Sequence, residues 1–227
     1  APAVATGVKL ANPQLDVWVV GGDGDFLSVG GNHLLHVLRR DIGLNLLLLN
    51  NAIYGLTKGQ YSPTSPIGTR SPSSPSGSVE KPINAAVFAL GAGASFVART
   101  VDALQDHLPG ILVGAHAHRG ASLVEILQNC IIYNDGVFGP ISSKTEAAQA
   151  SIRVNHGEPL VFGRDDDKGL VFDATQGRFR VVHIGRDFPI EALSRHDETN
   201  LPLAMALAAM GGPNEPTAIG VLFARPA

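Results

Sequence analysis

The stretch VVGGDGDFLSVGGNH, residues 19–33, decides how this chain is read. An apolar strand runs into a glycine-rich turn, the usual device for pointing backbone N–H groups at a phosphate, yet Asp23 and Asp25 stand inside that turn. Before it, LDVWVV (residues 15–20) reads as a buried strand. Residues 5–11 have helical spacing, with Val4, Val8 and Ala11 recurring on one face and Asn12-Pro13 as the stop. After the turn, residues 32–40 make a short helix with Leu34, Leu35 and Leu38 as its apolar face. LNLLLL (residues 44–49), bounded by Gly43 and Asn50, is then the all-apolar run of a strand covered on both faces. Strand, helix, strand over so short a span is a βαβ unit, so the two strands are expected to be parallel neighbours or near neighbours.

At 227 residues the chain has room for one generous domain, and a single domain over residues 1–227 is the expectation. With 17 Lys+Arg against 20 Asp+Glu, and no basic cluster beyond Arg39-Arg40, nucleic acid is not expected as a main partner. The apolar runs are too short to cross a bilayer and no basic-then-apolar leader opens the chain, so no membrane partner is expected and the expected location is cytoplasmic. The single cysteine, Cys130, excludes an internal disulfide and any metal cage built on several thiolates of this chain. The chain starts at Ala1 without methionine, in mid-pattern, and is expected to be a fragment or a processed product.

Further along, YSPTSPIGTRSPSSPSGSVEKP (residues 61–82) has the composition of a flexible linker. The α/β rhythm then resumes, with helices expected over residues 84–90 and 103–118 and strands over 95–98 and 122–127. Weaker strands fall at 160–162 and 179–184, a solvated turn at 165–168, and a final helix at 201–210 stopped by Gly211-Gly212-Pro213.

In a parallel βαβ unit the loops leaving both strands lie along one sheet edge, where such folds bind ligands. Residues 21–31 leave the first strand and NNAIYGLTKGQ (residues 50–60) the second, so Asp23 and Asn51 are expected close in space. Three phosphate devices compete for the turn. No G-x-x-x-x-G-K-S/T occurs, which removes the Walker A loop. A dinucleotide fingerprint fails twice: Leu27 stands where its third glycine should be, and Asn50 and Asn51 replace the acid that would hold a ribose. The third device is a metal bridge, since a carboxylate beside a diphosphate is repulsive unless a hard cation sits between them. Mg²⁺ takes a few protein oxygens and the rest from phosphate and water. Asp23, the Asn51 side chain and the Ile53 carbonyl can supply that protein share, while Gly22 and Gly24 permit close approach.

These residues carry a resemblance. G-D-G followed by N-N is the thiamine diphosphate motif, and GDGDFLSVGGNHLLHVLRRDIGLNLLLLNNAIYGLTKGQYSPTS resembles the β subunit of 2-oxoacid:ferredoxin oxidoreductases, the 2-oxoglutarate branch in particular. FVART, EILQNC, YNDG and HGEPLVFG extend the likeness along nearly the whole chain. The resemblance implies a thiamine diphosphate-binding α/β fold, a mostly parallel sheet with helices on both faces, here without the family's N-terminal segment. It implies decarboxylation of a 2-oxoacid to acyl-CoA, with electrons passed through an iron–sulfur cluster to ferredoxin and the acyl group to coenzyme A.

By the same resemblance Asp23, Asn51 and the Ile53 carbonyl are Mg²⁺ ligands. Gly22, Gly24 and Asp25 line the diphosphate turn, and Gly55, Leu56 and Thr57 close over it. Lys58 would pair with the second carboxylate of 2-oxoglutarate; its other reading is a lysine that reaches diphosphate or solvent. His33 is assigned to proton transfer or cofactor contact, and His36 to structure. His116 and His118 are expected at a helix end facing water. Cys130 occupies the place of a cluster-ligating cysteine, yet one thiolate cannot hold a four-iron cluster, and its bland reading is a small buried hydrophobe. The Ser/Pro segment becomes an ordered loop around the site. The coenzyme also needs a second domain for its aminopyrimidine, which implies an α subunit in an αβ or α2β2 assembly. The alternatives are a pyruvate or broad 2-oxoacid enzyme, a carboligase, a non-catalytic thiamine diphosphate-binding module, and a plain nucleotide-binding α/β protein.

Overall fold

The structure, a computed structural model, describes residues 1–225. β1 (Trp18–Gly22) and β2 (Asn45–Asn50) pair in parallel as direct neighbours, Trp18 opposite Asn45 and Gly22 opposite Leu49. The helix between them, α2 (Gly31–Arg40), buries Leu34, Val37 and Leu38, while Leu35 is only half buried. It stops at Asp41, whose left-handed φ of 51° breaks the repeat, with Arg39 and Arg40 in the last turn where they complement the helix dipole.

The remaining elements are α1 (Pro2–Ala11), α3 (Ala85–Gly91), β3 (Phe96–Val101), α4 (Leu108–Ala117), β4 (Ser122–Leu127), α5 (Gly139–Ser142), α6 (Ala147–Ala150), β5 (Ser151–Val154), β6 (Val161–Phe162), β7 (Lys168–Asp173), β8 (Arg178–His183), α7 (Leu201–Ala209) and β9 (Thr217–Ala224). The main sheet runs β1-β2-β4-β3-β9-β5. Its first four strands are parallel, β9 is antiparallel to β3, and β5 is parallel to β9. β6, β7 and β8 form a small antiparallel sheet.

Helices cover both faces of the main sheet. On one face residues of α1, α2, α3 and α7 pack with Leu46, Leu48, Val97 and Leu123; on the other Ile111 and Ala115 of α4 pack with Phe96, Ala98, Val124 and Ile126. Burying each leucine or isoleucine in this way is worth roughly 1.5–3 kcal/mol, which is why the apolar runs at 44–49 and 122–127 become interior strands. The α/β architecture expected from the sequence is the one found.

Several expectations change. The first strand begins at Trp18 and is an edge strand with β2 as its one neighbour; Trp18 and Val20 are exposed, since α4 packs on β3 and β4 rather than over β1. The helix expected over 103–118 is only α4; turns occupy 102–107, and Pro109 sits in the first helical turn, where its missing N–H costs nothing. Residues 61–82 are not a linker but a succession of turns with Ser62, Ser65, Ser71 and Ser78 buried, closed by Gly68 N–H donating to Ser78 and Ser78 N–H to Thr69. The Ser65 hydroxyl accepts from Ser62 N–H and donates to the Ala52 carbonyl, and that of Ser78 donates to the Pro66 carbonyl, backbone groups that an apolar segment of the same shape would leave unpaired. β5, β7 and β9 were not foreseen, and Lys168 opens β7 while residues 165–167 stay exposed. His116 is exposed as expected and stacks on Trp18. His118 is instead half buried, its Nε2 2.8 Å from Ser95 Oγ. No helix among the described residues is long and apolar enough to cross a membrane.

Candidate functional site

The parallel register brings the ends of four strands to one edge. Gly22 is opposite Leu49, Asn50 opposite Leu127, and Leu127 opposite Val101. Asp23 therefore leaves the sheet beside Asn50 and Asn51. At the β1 exit Gly22 N–H donates to Asp25 Oδ2 at 2.9 Å, so Asp25 serves the turn itself, and residues Asp25–Val29 form one π-helical turn ahead of α2.

Asp23 is buried, and its Oδ2 accepts hydrogen bonds from both Ser62 Oγ and Thr64 Oγ1. Burial holds this carboxyl above the ordinary carboxylate value, against the smaller opposing pull of the Ser62 and Thr64 hydroxyls and the backbone N–H groups of Gly24 and Asp23. Thr64 Oγ1 also lies 2.9 Å from Asn50 Oδ1, so one threonine of the Ser/Pro segment spans the tips of β1 and β2. The loops touch directly as well: a methyl group on Gly24 would overlap the Tyr54 ring, which is the physical reason for glycine there.

At the β2 exit, Asn50 Nδ2 donates to Glu125 Oε1 at 2.8 Å and its Oδ1 accepts from Ala52 N–H at 3.2 Å. Ala52 holds a left-handed φ of 52°, a strained conformation for a residue with a side chain. Asn51 Oδ1 accepts from Ile53 N–H at 3.2 Å, and Asn134 Nδ2 donates to the Asn51 carbonyl at 2.9 Å. The Ile53 carbonyl has no hydrogen-bond partner among the described residues. No group of three or more His, Cys, Asp or Glu able to hold a metal occurs among the described residues. The edge instead gathers a carboxylate, an amide oxygen and a backbone carbonyl, an all-oxygen donor set that suits a hard divalent cation completed by phosphate and water.

Beyond Ile53 the chain makes a closed loop, Tyr54 N–H donating to Gln60 O and Gly59 N–H to Tyr54 O, both at 2.9 Å. Leu56, Thr57 and Lys58 are exposed at its tip, and Gly55 is half buried. Thr57 donates to Gln60, and Lys58 has a left-handed φ of 75°. Cys130 is half buried and not a core hydrophobe; its Sγ would lie 3.8 Å from a methyl group placed on Gly55. His33 is exposed on the first turn of α2 and lines a hollow of about 450 Å³ with Gly21, Asp25, Phe26 and Gly30. His36 is half buried, its Nδ1 without a partner among the described residues.

Asp23, Gly22, Gly24, Asp25 and the loop from Asn51 to Lys58 thus share one edge. Sequence reasoning missed Ser62 and Thr64 as partners of Asp23, Asn134 as the clamp on Asn51, and Glu125 behind Asn50. An acid in the middle of SLVEIL was the available signal for the last, since an interior strand carries a carboxylate only when something buried pairs with it. A hollow of about 870 Å³ lies between α5, α6, the small sheet and residues 211–215.

A family model described as thiamine pyrophosphate enzyme, C-terminal TPP binding domain, matches residues 1–126. The chain is similar to the 2-oxoglutarate oxidoreductase subunit KorB of Mycobacterium tuberculosis, 55% identical over 171 residues, covering 75% of this chain and 46% of that protein. It is also similar to the 2-oxoglutarate synthase subunit KorB of Archaeoglobus fulgidus, 45% identical over 130 residues, covering 57% of this chain and 49% of that one. It therefore spans about half the length of these curated relatives. Among solved structures, the 2-oxoglutarate:ferredoxin oxidoreductase from Magnetococcus marinus with 2-oxoglutarate, coenzyme A and succinyl-CoA bound matches all of this chain and 62% of its own, with a TM-score of 0.74 and 30% identity.

Proposed function

Because the chain belongs to the family of C-terminal thiamine pyrophosphate-binding domains of thiamine pyrophosphate enzymes, we propose that it is the diphosphate-binding part of the β subunit of a 2-oxoglutarate:ferredoxin oxidoreductase. The observation that carries this reading is the buried Asp23 carboxylate tied through Thr64 to the Asn50-Asn51 tip of the neighbouring parallel strand. The names of the relatives and of the solved structure support the choice of reaction.

In this reading Asp23, Asn51 and the Ile53 carbonyl hold Mg²⁺, and the metal holds the coenzyme's diphosphate. When bound, thiamine diphosphate supplies the nucleophilic carbon on which a 2-oxoacid is decarboxylated. The chain's own residues bind and orient. Ser62 and Thr64 occupy one oxygen of Asp23 and leave the other for the metal. Gly22, Gly24 and Asp25 shape the diphosphate turn, Gly55, Leu56 and Thr57 border it, and His33 sits where it can move a proton at the turn's mouth. Lys58, exposed on the loop tip, pairs with the distal carboxylate of 2-oxoglutarate. Cys130 serves as a ligand of an iron–sulfur cluster only with further thiolates from outside these 227 residues. An α subunit supplies the aminopyrimidine half of the site, coenzyme A takes the acyl group, ferredoxin takes the electrons, and the assembly works in the cytoplasm.

Asp23→Ala tests the reading. Mg²⁺-dependent retention of thiamine diphosphate is lost while circular dichroism shows the fold retained. Retained Mg²⁺-dependent binding in that variant contradicts the assignment.

A further inference from the structure

Behind the cofactor edge runs a buried polar chain that the reading above does not use. Arg99 on β3 donates from Nε to Glu125 Oε2 on β4 at 2.7 Å, with both side chains about 5% exposed or less. The other oxygen, Glu125 Oε1, accepts from Asn50 Nδ2 on β2. Arg99 Nη2 reaches Asn84 Oδ1 at 3.3 Å, and Asn84, the N-cap of α3, donates to the Ala208 carbonyl of α7. Asn50, Thr64, Asn84, Arg99 and Glu125 line one cavity of about 300 Å³ at this edge.

A buried ion pair seldom stabilises a fold more than an apolar pair of equal volume, so its presence in a leucine- and valine-rich sheet asks for another role. The geometry supplies one. Glu125 can accept only from the amide nitrogen of Asn50, so it fixes which way the Asn50 amide faces. The Asn50 oxygen is thereby turned to the Ala52 N–H, at 3.2 Å. Were the amide reversed, its NH₂ would confront the Ala52 N–H donor. Ala52 in its left-handed conformation separates Asn51 from Ile53, the two residues that present the loop's oxygens. We propose that Glu125 is a positioning residue for the Mg²⁺–diphosphate site: through Asn50 it holds Ala52 in the strained turn that aims the Asn51 side chain and the Ile53 carbonyl at the metal. This inference rests on the reading of the site given above. Arg99 holds Glu125 in place, and Asn84 anchors Arg99 to the helical layer.

The experiment compares two double variants of the full-length protein in its assembled form. Arg99→Met with Glu125→Gln removes the ion pair but keeps an oxygen for the Asn50 amide; Arg99→Met with Glu125→Leu removes both. Thermal midpoints without ligand, and thiamine diphosphate affinity by calorimetry across a Mg²⁺ titration, are read for each. The expected result is affinity within about threefold of the parent for the glutamine pair, and a loss of about ten- to a hundredfold for the leucine pair, the range of outer-sphere supports of a metal ligand. Equal affinities in the two double variants overturn the proposal. Should the leucine pair not fold, Asn50→Ala cuts the link while leaving the ion pair; it is expected to show the same loss, and parent-like affinity in it overturns the proposal equally. If the parent protein takes up no thiamine diphosphate at any Mg²⁺ concentration, the reading of the site fails and this inference with it, whereas parent binding matched by the leucine pair refutes Glu125 alone.

Discussion

Thr64 donates to the carboxylate of Asp23, 41 residues earlier in the chain, and so draws the Ser/Pro segment against the glycine-rich turn that leaves β1. Both this hydroxyl and that of Ser62 fall on the same oxygen, Oδ2. The Asp23 carboxylate is thereby held in one rotamer with its remaining oxygen unclaimed by either hydroxyl.

Removing these hydroxyls exposes their worth. Ser62→Ala and Thr64→Val each leave a buried carboxylate short of a donor, and hydrogen bonds to charged groups are worth about 1.5–3 kcal/mol. Urea unfolding at neutral pH is expected to show losses in that range for each, with a weaker hold on Mg²⁺ and thiamine diphosphate. A variant with unchanged midpoint and unchanged binding would show that the segment merely passes by.

The contact of Gly24 with Tyr54 is steric, so it has a steric cure. Gly24→Ala is expected to cost about 1–3 kcal/mol through overpacking. Adding Tyr54→Ala makes room and recovers part of that stability. Denaturation of the single and double variants measures both, and a double variant no better than Gly24→Ala alone would place the constraint elsewhere in the turn.

Lys58 is exposed at a left-handed φ of 75°, so Lys58→Gly relieves backbone strain while removing the ammonium group. If that group pairs with a distal carboxylate, KM for 2-oxoglutarate rises by about tenfold to a hundredfold while KM for pyruvate is unmoved. Equal changes for the two substrates would assign Lys58 to the diphosphate or to solvent and favour a broad 2-oxoacid enzyme.

His196 carries a pH dependence of a different kind. It is buried with Nε2 2.7 Å from the Val221 carbonyl, and burial pushes its pKa below the ordinary 6.5. The folded chain keeps the ring neutral where the unfolded chain takes up a proton, so stability is fully present above that ordinary value and is lost as pH falls towards the folded one. Urea midpoints are expected to fall between about pH 7.5 and about pH 5.5. His196→Gln flattens part of that slope, leaving the shares of His107 and His118, which burial also lowers. An unchanged slope would remove His196 from the account.

What the sequence made legible was local and periodic. The βαβ unit, the parallel pairing of its strands and the closeness of the Asp23 and Asn51 loops all follow from apolar runs punctuated by glycine and asparagine. Ser62 and Thr64 were hidden because composition averages over a segment, while their role depends on two hydroxyls meeting a carboxylate across a fold. β9 escaped for a related reason: Thr217–Ala224 pairs antiparallel with β3 and parallel with β5, partners far away in the chain that no local pattern announces. The exposure of Trp18 and Val20 depends on where α4 lies, which the six letters of LDVWVV do not contain.

The place of β9 also sets a timetable. Ser151 in β5 waits for Thr217, and Phe96 in β3 for Ala224, so the flank of β3 away from β4 stays open until almost all of these residues have left the ribosome. During that interval β3, the strand that carries Arg99, is already made but has an unsealed flank. Synthesis halted ahead of Thr217 would strand β5 without a neighbour in the main sheet.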